Sequence, residues 1–192
     1  MEMSENKALE IIEQMISNAK SEIKDNGFHH LMWGYLVFVS AFIDYFLLVN
    51  EVPSHALVWG ILMPLGGVIS FIKGLKDGKK QRVITYVDEM MKYLTIAFVI
   101  SLLVVCLIMP LAGQHWRSFF AVLMVVYAFA LYLFGALLQF KPLRMGAYVV
   151  WVAASVAFFV TYDWQLLLLA FAVLCGFIIP GHLLNLRAHS NV

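Results

Sequence analysis

Asp44 is the residue with the most chemical potential in this sequence. It interrupts the apolar run "LMWGYLVFVSAFIDYFLLVN" over residues 31–50. A carboxylate in such surroundings is costly unless it is paired, and it commonly marks a proton or cation pathway. Asp44 lies six residues before Asn50, about 9 Å along a helix. Partners are available toward that same end: His55, His115 and above all Arg117. Two readings follow, handling of a proton or cation, or a structural pair near the rim of an apolar layer. One carboxylate alone does not make a proton relay.

The second group is imidazole. His29 and His30 open the first apolar segment, and His182 sits in "CGFIIPGHLL" near the end of the last one. If those two segments are neighbours, His182 could meet one of the pair, and two imidazoles can ligate a transition metal or haem. No carboxylate or cysteine completes such a shell. The expectation is therefore no metal and no cofactor, with the histidines serving as hydrogen-bonding groups at a helix end. The third group is the cationic run "KGLKDGKKQR", with Lys73, Lys76, Lys79, Lys80 and Arg82 around an Asp77-Gly78 turn signal. Such a cluster is drawn to anionic headgroups by about 1 kcal/mol per cation. Nucleic acid is not expected as a partner, because the net charge is only +1.

Several chemistries have no motif in the sequence. There is no Gly-x-Ser-x-Gly, His-Glu-x-x-His, phosphate-binding loop or Cys-x-x-Cys. An enzyme is not expected. Cys106 and Cys175 both fall in apolar stretches and are expected to be buried small apolar residues without a disulfide. Pro64, Pro110 and Pro180 each remove one backbone donor and press on the carbonyl four residues earlier, at Gly60, Cys106 and Gly176. Such breaks give kinks, or the discontinuous helices of a transporter.

The elements that must position these groups are read from charge spacing. The chain has 192 residues, 62% hydrophobic and 13% charged, against roughly 25% charged in an average soluble domain. Residues 52–72, 93–116, 118–140, 145–162 and 164–186 contain no Asp, Glu, Lys or Arg, and Asp44 alone interrupts 26–50. Each run approaches the ~20 residues that span a bilayer. The predicted fold is all-α: an integral membrane bundle of six transmembrane helices over about 28–50, 55–73, 91–111, 116–140, 144–162 and 165–186, forming a domain of residues 28–192. Residues 1–27 form a separate cytoplasmic unit. Within it, Leu9, Ile12, Ile16, Ala19 and Ile23 make one apolar stripe of an amphipathic helix over 4–26, which Asn26-Gly27 ends. No secretory leader is visible ahead of the first apolar segment. The third helix is expected to begin early, because "RVITYVDEMMKYL" keeps a helical apolar face.

With the N-terminus inside, every Lys and Arg except Arg117 falls on the cytoplasmic side. By the positive-inside rule this sets both termini in the cytoplasm of a cell inner membrane. Trp59, Trp116, Tyr162 and Trp164 then read as interface anchors on the outer side, and Trp33, Tyr35, Tyr93 and Tyr148 on the inner side. A weak internal repeat relates residues 31–46 to 144–159, followed in each half by Gly-x-x-x-Pro at Gly60–Pro64 and Gly176–Pro180.

The segments "NGFHHLMWGYLVF", "LMPLGGVIS", "LQFKPLRMGAYVVW" and "IIPGHLLN" carry a resemblance to an uncharacterised family of small six-helix multi-pass membrane proteins of Bacteroidota. The resemblance covers all but the third and fourth helices and implies no activity and no catalytic residues. The leading expectation is a non-enzymatic inner-membrane sensor or regulatory partner acting through its cytoplasmic face. Its partners would be anionic lipid, a cytoplasmic protein or a second copy of the chain. The alternative is a small transporter or channel subunit using Asp44 and the proline-broken helices.

Overall fold

The computed structural model describes residues 28, 30–77, 86–111 and 118–190. The expectations for the amphipathic helix over 4–26, for His29, for Lys79, Lys80 and Arg82, and for His115, Trp116 and Arg117 lie outside the described residues. Among the described residues all regular structure is helical. Helix α1 runs His30–Val49, α2 Leu57–Asp77, α3 Tyr86–Leu111, α4 Phe119–Leu137 and α5 Lys141–Ala157. The last apolar stretch holds α6, Tyr162–Val173, then a π turn, Leu174–Ile178, then α7, Ile179–Ser190. Among the described residues five stretches are long and apolar enough to cross a membrane: α1, α2, α3, α4 and the continuous α6–π–α7 rod.

Helix α5 departs from the predicted 144–162. It starts earlier, with Pro142 in its first turn where no donor is missed, and stops at Ala157 after 17 residues. The absence of charge over 145–162 reported composition, not helix. Residues 158–161 turn the chain into α6 instead. Gln165, fully buried, holds this turn: its Nε2 donates to the carbonyls of Ala157 at 2.9 Å and Val160 at 3.3 Å. These are acceptors that the end of α5 would otherwise leave open.

Helices α1 and α4 end alike. The Glu51 and Val52 amides donate back to Leu48 and Leu47, and the Gln139 and Phe140 amides to Ala136 and Gly135. This is the Schellman pattern, whose turning residue takes the left-handed conformation. Here those residues are Glu51, φ 57°, and Gln139, φ 49°.

The core lies among α4, α5 and the α6–π–α7 rod, with α1 laid against the rod. Met124 and Leu131 of α4, Leu143 and Val150 of α5, and Leu166 and Leu169 of α6 are its large buried side chains. Helix α5 supplies mainly small buried residues, Gly146, Ala147, Ala153, Ala154 and Ala157. Small residues let helices approach where lipid tails provide no hydrophobic drive between them. The crossing-length stretch of α2 is only 6% buried and that of α3 not at all. Both lie on the flanks with apolar side chains outward. Cys106 of α3 is exposed on that flank, against the expectation of burial, because α3 buries no complete face. Cys175 is half-buried, and both thiols are free.

The π turn explains "CGFIIPGH". Pro180 cannot donate to the carbonyl four residues back. The wider turn accommodates this, with the Ile179 amide donating to Leu174 five residues earlier. Three glycines meet at this turn. A methyl on Gly146 would come within 2.9 Å of the Cys175 carbonyl, one on Gly176 within 2.8 Å of Val150, and one on Gly34 within 3.0 Å of Ile178 and Phe177. Thus α1 and α5 both cross the rod at its π turn. The two Gly-x-x-x-Pro motifs are not used alike. Helix α2 stays α-helical through Pro64, and Gly60 faces open space.

Candidate functional site

Asp44 is fully buried, and three elements converge around its carboxylate. The first is the α1–α2 connection, which brings His55 Nδ1 to 2.6 Å from Oδ1. The second is the opening turn of α2, where Trp59 Nε1 donates to Oδ2 at 2.7 Å. The third is the start of α6, whose Tyr162 ring meets that of His55 edge-on at 6.3 Å. Phe120 of α4 closes the cluster from below, its ring 5.4 Å from that of Trp59 and 5.3 Å from that of Tyr162.

The local fold dictates this convergence. The Schellman end of α1 reverses the chain within a few residues of Asp44. Backbone hydrogen bonds from His55 to Val52 and from Leu57 to Ser54 then wind the connection directly into α2. His55 and Trp59 are four residues apart, so they point the same way from that winding. An indole N–H can only donate, so Oδ2 is an acceptor, and one proton lies between Oδ1 and the imidazole. His55 is the open side of the site, 24% exposed, while Asp44 has no exposed surface. The arrangement joins a buried carboxyl group to a partly exposed imidazole and ties α1 to the head of α2, with the head of α6 packed alongside.

Of the partners expected from the sequence, the structure brings His55 to Asp44. Arg117 and His115 lie outside the described residues. Trp59, expected as an interface anchor, directs its indole N–H to Asp44, and Tyr162, expected likewise, packs beside His55 and Phe120. The 55/59 spacing was the available signal for Trp59. Nothing in the sequence ties Tyr162 to His55 across so many intervening residues.

At the opposite end the first and last apolar segments are neighbours, and the two described imidazoles meet aromatic side chains there. His182 Nε2 lies 2.9 Å from the Tyr35 hydroxyl. The His30 ring stacks on Phe177 at 5.7 Å and meets Phe134 edge-on at 6.1 Å. Among the described residues no group of three or more His, Cys, Asp or Glu side chains comes together as a metal shell would require. Of the cationic run, Lys73 sits over the Phe28 ring at 3.9 Å and Lys76 lies in the last turn of α2.

Tyr35 also lines a shallow apolar groove with Met32, Leu36, Val39 and Leu62 between α1 and α2. A much smaller gap lies among Trp33, Val37, Tyr127, Val173 and Phe177. Comparison of the chain with family models, curated proteins and solved structures finds no match.

Proposed function

We propose that this chain is a multi-pass protein of the cell inner membrane with six crossings and both termini in the cytoplasm. It acts without catalysis, as a sensor or regulatory partner through its cytoplasmic face. The observation that carries the membrane reading is the combination of five crossing-length apolar helices with outward apolar flanks on α2 and α3. In this reading helix α5 is the sixth crossing, which its packing against both α4 and α6 supports. The distribution of Lys and Arg supports the orientation, with Arg117 alone on the outer side. The basic segment from Lys73 to Arg82 then faces anionic lipid. The same reading keeps the chain within the Bacteroidota membrane family that its segments resemble. Deleting residues 1–26 tests the regulatory reading: it abolishes the physiological effect while insertion is kept. A fully active truncation contradicts the proposal.

A second reading, a small transporter or channel subunit, draws on one observation, the fully buried Asp44 carboxylate in hydrogen-bond contact with His55. Reconstituted protein would then move an ion or solute, and Asp44→Asn would abolish the flux. An inert reconstitution together with a silent Asp44→Asn removes this reading.

A further inference from the structure

Helices α1 and α2 run antiparallel along a line of close contacts. A methyl on Gly66 would lie 3.0 Å from Leu36 and 3.2 Å from the Trp33 ring. One turn further along α2, Trp33 Nε1 donates to Ser70 Oγ at 3.1 Å. Beyond that, Lys73 Nζ sits 3.9 Å from the centre of the Phe28 ring. Beside this line lies the groove of Met32, Tyr35, Leu36, Val39 and Leu62, with a volume of about 350 Å³. Phe28, Met32, Tyr35 and Val39 follow i, i+4, i+7 and i+11 spacing, so Phe28 continues the same face of α1. That face is open: Phe28, Tyr35 and Val39 are all exposed.

The groove therefore has a cationic end and an apolar end. Lys73 stands over Phe28 at the first, and Lys76 follows it in the last turn of α2. Tyr35 forms part of the rim, its hydroxyl 2.9 Å from His182 Nε2 of α7. Phe28 and Val39 are eleven residues apart, about 16 Å along a helix. That is about half of the ~30 Å apolar thickness of a bilayer, the depth that the acyl chains of one leaflet fill. A lipid whose chain lies in the groove thus has its phosphate at the lysines. An ammonium binds phosphate as a compact charge with three donors. A zwitterionic headgroup carries its own cation beside the phosphate, so the lysines favour an anionic one.

We infer that the groove seats one anionic phospholipid. Its acyl chain lies on Met32, Leu36, Val39 and Leu62, its phosphodiester meets Lys73 and Lys76, and the Tyr35–His182 pair borders the glycerol. The inference rests on the reading of the chain as a membrane protein. It depends neither on the orientation nor on the choice between the two functional readings.

The test titrates phosphatidylglycerol or phosphatidylcholine into the full chain in detergent micelles and counts bound lipids by native mass spectrometry. One phosphatidylglycerol is expected to bind more tightly than those that follow, and more tightly than any phosphatidylcholine. Lys73→Gln with Lys76→Gln weakens that first binding about 30-fold, which is about 1 kcal/mol for each cation. Lys73→Arg keeps it. Val39→Trp fills the deep end of the groove from an exposed position and weakens the same binding at least tenfold with both lysines in place. Neutralising Lys79 and Lys80 instead leaves it within about threefold. Equal losses from the two lysine pairs overturn the seat, because the basic segment then attracts lipid as a diffuse charge. An unchanged first binding in Val39→Trp overturns the groove, as does competition by glycerophosphoglycerol, which has the headgroup and no chains. Flotation with phosphatidylcholine vesicles separates the underlying reading: a chain that inserts there without any preference for phosphatidylglycerol overturns the seat alone, and a chain that does not insert overturns the membrane reading as well.

Discussion

A fully buried carboxylate is tolerated in an apolar setting only when polar groups pair with it, and Asp44 has His55 and Trp59. Removing one donor should therefore cost less than leaving the acid with none. Trp59→Phe keeps the ring on Phe120 and loses only the N–H. It is expected to lower stability by about 1–2 kcal/mol, the upper part of the range for polar contacts inside membranes. Replacing His55 and Trp59 together by Phe should cost more than the sum of the single changes, because the buried acid then loses both of its polar partners at once. Denaturation of the purified protein in detergent measures both, and strictly additive losses would contradict a shared carboxylate. Asp44 itself was legible in the sequence, since a lone acid in an apolar run is conspicuous. Its surroundings were only half legible: the spacing of His55 and Trp59 was available, whereas Tyr162 is brought beside His55 and Phe120 by the packing of α6 on α4.

At the scale of elements, the glycines separate into two classes by what surrounds them. Gly34, Gly146 and Gly176 sit where α1 and α5 cross the π turn, and none has room for a methyl. Gly60, Gly67 and Gly74 of α2 face open space. Alanine at Gly146 or Gly176 is expected to cost about 1–3 kcal/mol through overpacking. Alanine at Gly67 is expected to be neutral or to stabilise by up to about 1 kcal/mol, the helix-propensity difference. Thermal unfolding of the variants decides this, and equal effects in the two classes would refute the crossing at the π turn. Pro180 was visible in the sequence as a break, but its consequence was not. A π turn depends on which neighbours crowd Gly176, and those come from distant segments. The helices themselves were legible because charge-free runs of spanning length have few other uses. The exception, α5, shows the weakness of that signal: absence of charge extends through the turn at 158–161, where Gln165 rather than composition ends the helix.

For the whole molecule, α1, α4, α5 and the last rod form a packed group, and α2 and α3 flank it with apolar surface. Such an arrangement suits a lipid surround, where unburied apolar flanks carry no penalty, better than water, in which patches of this extent are uncommon on monomers. Cys106, exposed on the flank of α3, provides one check. In the membrane it is expected to react with a small apolar maleimide and not with a charged, impermeant one. Equal labelling by both reagents would place α3 in water. The account rests most heavily on orientation, and cysteine accessibility in intact cells measures it most directly. With Cys106→Ser and Cys175→Ala as background, single cysteines at Ser54 and Gly113 are predicted to react with an impermeant thiol reagent added outside. Cysteines at Lys79 and Ser190 are predicted to react only after the cells are opened. Labelling of Lys79 and Ser190 in intact cells, with Ser54 and Gly113 protected, would contradict the account.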